Sequence, residues 1–199
     1  MSRHKSSPQR GFSLVELLVV ISLVGIVFTI FGTFFMNYLI SYSQYQKDGT
    51  NFTELATESQ RVADVLRGLT DIISESSNDL TVYAYFSPVD SYTSIVHYYL
   101  NANGTALLAD VTPMTANPPI GTPLNAHKKT YTIISNYFQA PSTNLFVYYD
   151  ASGAAMTLPI SDEHSIIDIQ VNLAEPGSHT KNGQTLSTTV SLRNRKTNL

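Results

Sequence analysis

Residues 12–40 read FSLVELLVVISLVGIVFTIFGTFFMNYLI, and Glu16 is the one charged residue among them. From Leu17 to Met36 the run is apolar apart from Ser22, Thr29 and Thr33, with glycines at Gly25 and Gly32. About twenty such residues, rising ~1.5 Å each, make a helix of ~30 Å, the thickness of a bilayer's hydrocarbon core. A soluble helix that is apolar on every side needs a large protein to bury it. The rest of a 199-residue chain cannot supply one. The stretch predicts a membrane span.

On its N-terminal side lie Arg3, Lys5 and Arg10, with no acidic residue before Gly11. Basic residues of this kind stay cytoplasmic, so the N-terminus is expected inside and the long C-terminal part exported. A conventional secretory signal fits poorly. The apolar run exceeds a ~7–15-residue signal core, and no A-x-A-like site follows it. The small residue comes before the run instead, at Gly11.

Arg10-Gly11-Phe12-Ser13-Leu14-Val15-Glu16-Leu17 resembles the cleavage and methylation signature of type IV prepilins and pseudopilins. The resemblance implies a cut after Gly11 by a membrane prepilin peptidase, which also methylates the new N-terminal amine on Phe12. It further implies that Glu16 pairs with the N-terminal ammonium of a neighbouring subunit during filament assembly. A carboxylate in an apolar helix costs about 2.5–3.5 kcal/mol at the membrane centre and less near an end, so a partner is expected on physical grounds too. The alternative is that Glu16 lies near the membrane surface and reaches water. Many filament-forming members carry a proline about twenty residues into the mature helix, and this chain has none there. That departs from the pattern of a major subunit. Gly25, Thr29 and Thr33, with Gly32, could form a small-residue face for close helix packing, or be ordinary span residues.

Beyond the membrane the helical pattern resumes. Phe52, Leu55, Val62, Val65, Leu66, Leu69, Ile72 and Ile73 follow a three-and-four spacing, with Glu54, Glu58, Arg61, Asp64 and Arg67 between them. This predicts an amphipathic helix packed on a sheet. Lys47-Asp48-Gly49-Thr50-Asn51 is a place where the helix could loosen. From residue 77 the chain turns to short runs of Tyr, Val, Ile and Thr between Gly, Asn and Pro. Strands are expected at Leu80–Phe86, Ile95–Leu100, Ala106–Val111, Tyr131–Phe138, Leu145–Tyr149, Ala155–Leu158, Ile166–Leu173 and Leu186–Leu192. Thr112–Pro123 reads as a loop. YYLNANGTALL and VYYDASGAAMTL echo one another as hairpins, and the paired hairpins resemble larger minor pilins or minor pseudopilins.

The expected fold is therefore α+β and pilin-like: a long N-terminal helix, transmembrane in its first half and amphipathic in its second, packed on an antiparallel β-sheet head. The expected parts are a basic leader (1–11), a transmembrane and assembly helix (12–40), its amphipathic continuation (41–76) and a β-rich head (77–199).

The composition excludes several functions. There is no cysteine, hence no disulfide framework and no thiolate metal site. Net charge is −3, and loss of the three leader cations would take it near −6, which gives no broad footprint for nucleic acid. No hydrolase, phosphate-loop or dinucleotide motif stands in a fitting context, so neither enzymatic activity nor a cofactor nor a small-molecule substrate is expected. His4, His97, His127, His164 and His179 are scattered. Asp162, Glu163 and Asp168 could offer oxygens to calcium, although a solvated loop explains them more simply. Tyr83, Tyr85, Tyr92, Tyr98, Tyr99, Tyr148 and Tyr149 could form a binding platform, or more simply strand core. Asn51 and Asn103 begin glycosylation sequons. Arg193, Arg195 and Lys196 form a basic tail, either solvated or touching DNA or an acidic neighbour.

The expected function is that of a non-enzymatic subunit, minor or priming, of a type IV pilus or a type II secretion-like pseudopilus. Implied partners are prepilin peptidase/N-methyltransferase, other pilin or pseudopilin subunits, the membrane platform protein of the assembly machine and the lipid bilayer. The expected location is the inner membrane in a single pass, then an extracellular or periplasmic filament. Two alternatives stay open: a tip subunit for adhesion, binding or DNA uptake, and a membrane-tethered β-domain with no filament role.

Overall fold

A computed structural model describes residues 11, 13–137, 143–176 and 183–192. One helix, α1, spans Leu14–Arg67. Eight strands follow: β1 (Asp71–Glu75), β2 (Asp79–Ala84), β3 (Ser94–Leu100), β4 (Leu107–Pro113), β5 (Lys129–Ile134), β6 (Phe146–Tyr149), β7 (Asp168–Glu175) and β8 (Gln184–Ser191). The chain divides into two compact units at Gln46/Lys47.

The first unit is the N-terminal part of α1. Its large apolar side chains, Leu14 through Tyr45, are all exposed, because nothing else among the described residues of that unit covers them. The Lys47–Asn51 segment does not interrupt the helix, contrary to expectation. Thr53 returns its hydroxyl to the Gly49 carbonyl at 2.9 Å, which supplies local bonding where glycine weakens the helix.

The second unit holds the rest of α1 and all strands. Leu55, Ser59, Val62, Ala63, Val65 and Leu66 form the buried stripe of α1, which the spacing predicts from Leu55 on, whereas Phe52, also expected in it, is 48% exposed. The helix ends earlier than expected, however. Gly68 bonds back to the Asp64 and Val65 carbonyls, and Asp71–Glu75 pairs with β2 as a strand, so the amphipathic continuation stops at Arg67 and not at residue 76. The physical reason is β-propensity with a partner at hand. Ile72 and Ile73 are β-branched, and β2 offers Val82 opposite Ile72.

Seven or eight antiparallel strands were expected in one sheet. Eight form among the described residues, β1 being new and Ala155–Leu158 not among them, and they make two sheets, ordered β1-β2-β3-β4-β5 and β6-β7-β8. Both contribute to a single core with α1, including Leu80, Val96 and Leu107 from the first and Phe146, Ile169 and Leu173 from the second. The seam is bridged by polar contacts. Phe146 N donates to Ser77 O at 2.9 Å, and the Tyr148 hydroxyl donates to Ser76 O at 2.9 Å. Tyr148 is 1% exposed, so Tyr148→Phe leaves that carbonyl short of its side-chain donor. The expected cost is about 1–2 kcal/mol, readable as a lowered unfolding midpoint with an unchanged urea m-value.

The two echoing segments share their turns but not their returns. Gly104 (φ 66°) and Gly153 (φ 79°) both sit in the left-handed region, where a β-carbon is disfavoured. Asn101 and Asp150 cap these turns alike, each side-chain oxygen accepting two backbone N–H groups. Yet Ala155–Leu158 forms no strand. It makes one bridge, Ala155 to Tyr149, and a bond from Met156 N to Tyr148 O. Met156 alone of these four packs against the core, and Pro159, which has no N–H, follows at once. β5 ends at Ile134, short of the expected Phe138, which lies outside the described residues.

Candidate functional site

Ser13-Leu-Val-Glu16 is a capping box, a signal that the reading of Glu16 as a buried charge passes over. The Glu16 backbone N–H donates to Ser13 Oγ at 3.2 Å, and Ser13 N–H donates to Glu16 Oε2 at 2.9 Å. Two of the helix's otherwise unpaired donors are satisfied reciprocally, and the carboxylate meets the positive end of the helix dipole. Gly11 is exposed, and a β-carbon built there would touch nothing within 4 Å. Phe12 and the leader residues Arg3, Lys5 and Arg10, with His4, lie outside the described residues.

Along the apolar stretch every hydroxyl finds a local acceptor. Ser22 bonds to Leu18 O, Thr29 to Gly25 O and Thr33 to Thr29 O, each at 2.8 Å. A bilayer offers no water to polar groups, so such back-bonding suits a lipid-facing helix. Gly25 and Gly32 have open space around them. The helix contains an 18-residue window long and apolar enough to cross a membrane, none of it buried within the protein.

In the second unit the structure scatters the candidate ligands. His97 bonds Asp79 at 2.7 Å and stacks on Tyr99. His127 ends a 3-10 turn, Asn125–His127. Asp162 caps another, Glu163–Ser165, accepting from His164 N at 3.0 Å. Among the described residues no three His, Cys, Asp or Glu side chains gather as a metal set. The tyrosines divide. Tyr98 and Tyr148 are core, and burial raises both phenols well above their ordinary range. Tyr85 and Tyr92 are exposed, and the other platform candidates, Tyr83, Tyr99 and Tyr149, are half-buried. Asn103 is exposed at the β3–β4 turn, and Asn51 lies within α1. His179 and the tail residues Arg193, Arg195 and Lys196 lie outside the described residues.

One polar cluster was not foreseen. Asp110 on β4 is 8% exposed, and it accepts from Lys128 Nζ at 2.6 Å, Thr130 Oγ1 at 2.5 Å and Tyr99 at 3.3 Å. Burial would raise its carboxyl, but the bonds from Lys128 and Thr130, with the Lys128 charge and Tyr99, hold it below the usual carboxylate range. Only the register of β3, β4 and β5 brings these residues together. Two concavities open nearby. A groove of about 1040 Å³ runs between α1 residues Phe52–Val65 and the β2–β3 loop. A cleft of about 470 Å³ is lined by Phe86, Tyr92, His127 and Lys129 among others.

An α+β protein that opens on one long apolar helix and continues into antiparallel sheets is pilin-like in architecture. A family model described as the prokaryotic N-terminal methylation motif matches residues 6–32. The chain thus carries the prepilin motif, consistent with a type IV pilin or pseudopilin, a structural family. Motif and apolar helix together indicate a membrane-anchored protein. No curated protein matches the chain.

Proposed function

We propose that the protein is a minor or priming subunit of a type IV pilus or type II secretion-like pseudopilus. It is cut by prepilin peptidase between Gly11 and Phe12, methylated on Phe12 and assembled through α1. The observation that carries this reading is the methylation motif at residues 6–32 running directly into an apolar helix with no cover of its own. Such a helix is stable in lipid before assembly and against sister helices after it. Among the described residues nothing within 4 Å of a β-carbon at Gly11 calls for glycine, which fits a residue kept for recognition by an enzyme. The leader residues Arg3, Lys5 and Arg10 would hold the N-terminus on the cytoplasmic side.

The test is the mature N-terminus. The chain is expressed with its cognate prepilin peptidase and its intact mass and terminal sequence are determined. A chain starting at methylated Phe12 supports the reading; a retained leader beside an active peptidase sinks it and leaves a tethered β-domain.

Glu16 has two tasks in this scheme, the capping box and the charge pair with a neighbour's N-terminal ammonium. They separate by mutation, because Gln keeps the cap but drops the charge. Glu16→Gln is expected to be processed and to keep the circular dichroism of the wild-type helix, yet to be lost from sheared filaments. Wild-type incorporation of this variant would eliminate the charge pair.

The head's cleft beside Tyr92, His127 and Lys129 favours a second reading, a tip subunit that binds a ligand or surface. It predicts binding that is lost on Tyr92→Ala while filament number is unchanged.

A further inference from the structure

A carboxyl group sits on the core face of the three-stranded sheet. On β7, Ile169, Val171 and Leu173 are fully buried. The hydrogen bond between the hydroxyls of Ser59 on α1 and Thr188 on β8 at 2.7 Å, with Thr188 opposite Val171, shows that this face looks onto the helix. Glu175 continues the same alternation and is 3% exposed. Directly across from it, on the same face, stands Gln184, whose side-chain Oε1 is buried with no hydrogen-bond donor among the described residues. Two ordinarily unfavourable features therefore face each other: a buried carboxyl and a buried acceptor that lacks a hydrogen.

An ionised carboxylate only accepts hydrogen bonds, whereas a neutral one carries an O–H donor. A single proton resolves both features. We propose that folded Glu175 is held as the neutral acid and donates to Gln184 Oε1, forming a proton-dependent lock that fastens the ends of β7 and β8 under α1. The ionisable group of α1 that acts on it is Glu54; Glu58 lies 3.7 Å from Arg61, and both bear on Tyr98 of the five-stranded sheet. β8 carries no ionisable side chain, and Asp168 is at the far end of β7. His179 and Lys181, in the connection between the two strands, lie outside the described residues. Burial first, and the Glu54 charge second, push the Glu175 carboxyl up from 4.5 to about 7. The inference does not depend on the filament reading.

The sign of the pH dependence follows. An acid whose pKa is higher folded than unfolded binds a proton in the native state that the unfolded chain has released. Its stabilising effect is complete below about pH 4.5 and is lost as pH rises toward 7. The full chain in detergent micelles is unfolded with urea from pH 5 to 8, followed by near-ultraviolet circular dichroism of its tyrosines. Between these limits the wild-type unfolding constant, taken relative to Glu175→Gln, is expected to rise on the order of a hundredfold. Glutamine keeps an N–H donor for Gln184 and has no proton to lose. A ratio that stays constant across the range overturns the proposal. Should Glu175→Gln not fold, Glu54→Gln at an exposed helix position reads the same proton. Its removal of a neighbouring negative charge moves the pH midpoint of the wild-type dependence toward acid, and an unmoved midpoint overturns the lock.

Discussion

Gly11→Val is expected to abolish maturation, leaving a chain that carries its full leader however long it meets the peptidase. A β-carbon at position 11 touches nothing within 4 Å. The helix begins only at Leu14, capped by Ser13 and Glu16, and the substitution lies upstream of both. The variant should therefore insert, fold and melt as the wild type does. Loss of processing would then report what the enzyme accepts beside the scissile bond. Intact mass after co-expression reads the outcome directly, and the effect is all or none. Without the cut there is no free amine on Phe12, hence no methylation and no ammonium for a neighbour's Glu16. Efficient cleavage of the valine variant would remove Gly11 from the proposed site. A fold change in it would mean that the glycine has a structural duty that the geometry around it does not show.

Leu66→Ala should strongly destabilise the head. Leu66 is fully buried at the end of the α1 stripe, in the core to which both sheets contribute. Truncation removes its transfer energy and leaves a cavity that neighbours on both sheets close only in part, for about 2–5 kcal/mol. Against a typical total of ~5–15 kcal/mol that is a large fraction, and the unfolding midpoint should fall by on the order of 10 °C. Val89, 87% exposed, is the control: Val89→Ala should change stability by less than about 0.5 kcal/mol. Equal effects at the two positions would mean that α1 is not held in the core by this stripe.

Much of the molecule was legible residue by residue. The apolar run, the glycine before it and Glu16 within it are contiguous, and their meaning rests on local hydropathy and spacing. The buried stripe from Leu55 to Leu66 followed from its period, and the turns at Gly104 and Gly153 from the two echoing hairpin segments that hold them. The Ser13–Glu16 capping box was legible too, as Ser-x-x-Glu ahead of an apolar run. It was passed over because the charge of Glu16 drew the reading toward a partner outside the chain.

Where the reading stopped short, the deciding contacts lie far apart in the chain. Ile72 and Ile73 satisfy a helical period and a strand equally well, and β2 beside them decided for the strand. Whether eight strands make one sheet or two depends on which edges meet, and no local pattern encodes that. Asp110 became a low-pKa carboxylate only when the β4–β5 pairing and the approach to it brought Thr130 and Lys128 against it. Glu175 looks like any polar residue ending a strand. The charge that acts on it, Glu54, is on α1, more than a hundred residues earlier, and the residue across from it is on β8. Hydropathy and caps act between covalent neighbours, so the sequence alone determined the anchor, the motif and the helix stripe. Register and desolvation act between distant segments, so only the tertiary structure decided the two sheets, the Asp110 cluster and the environment of Glu175.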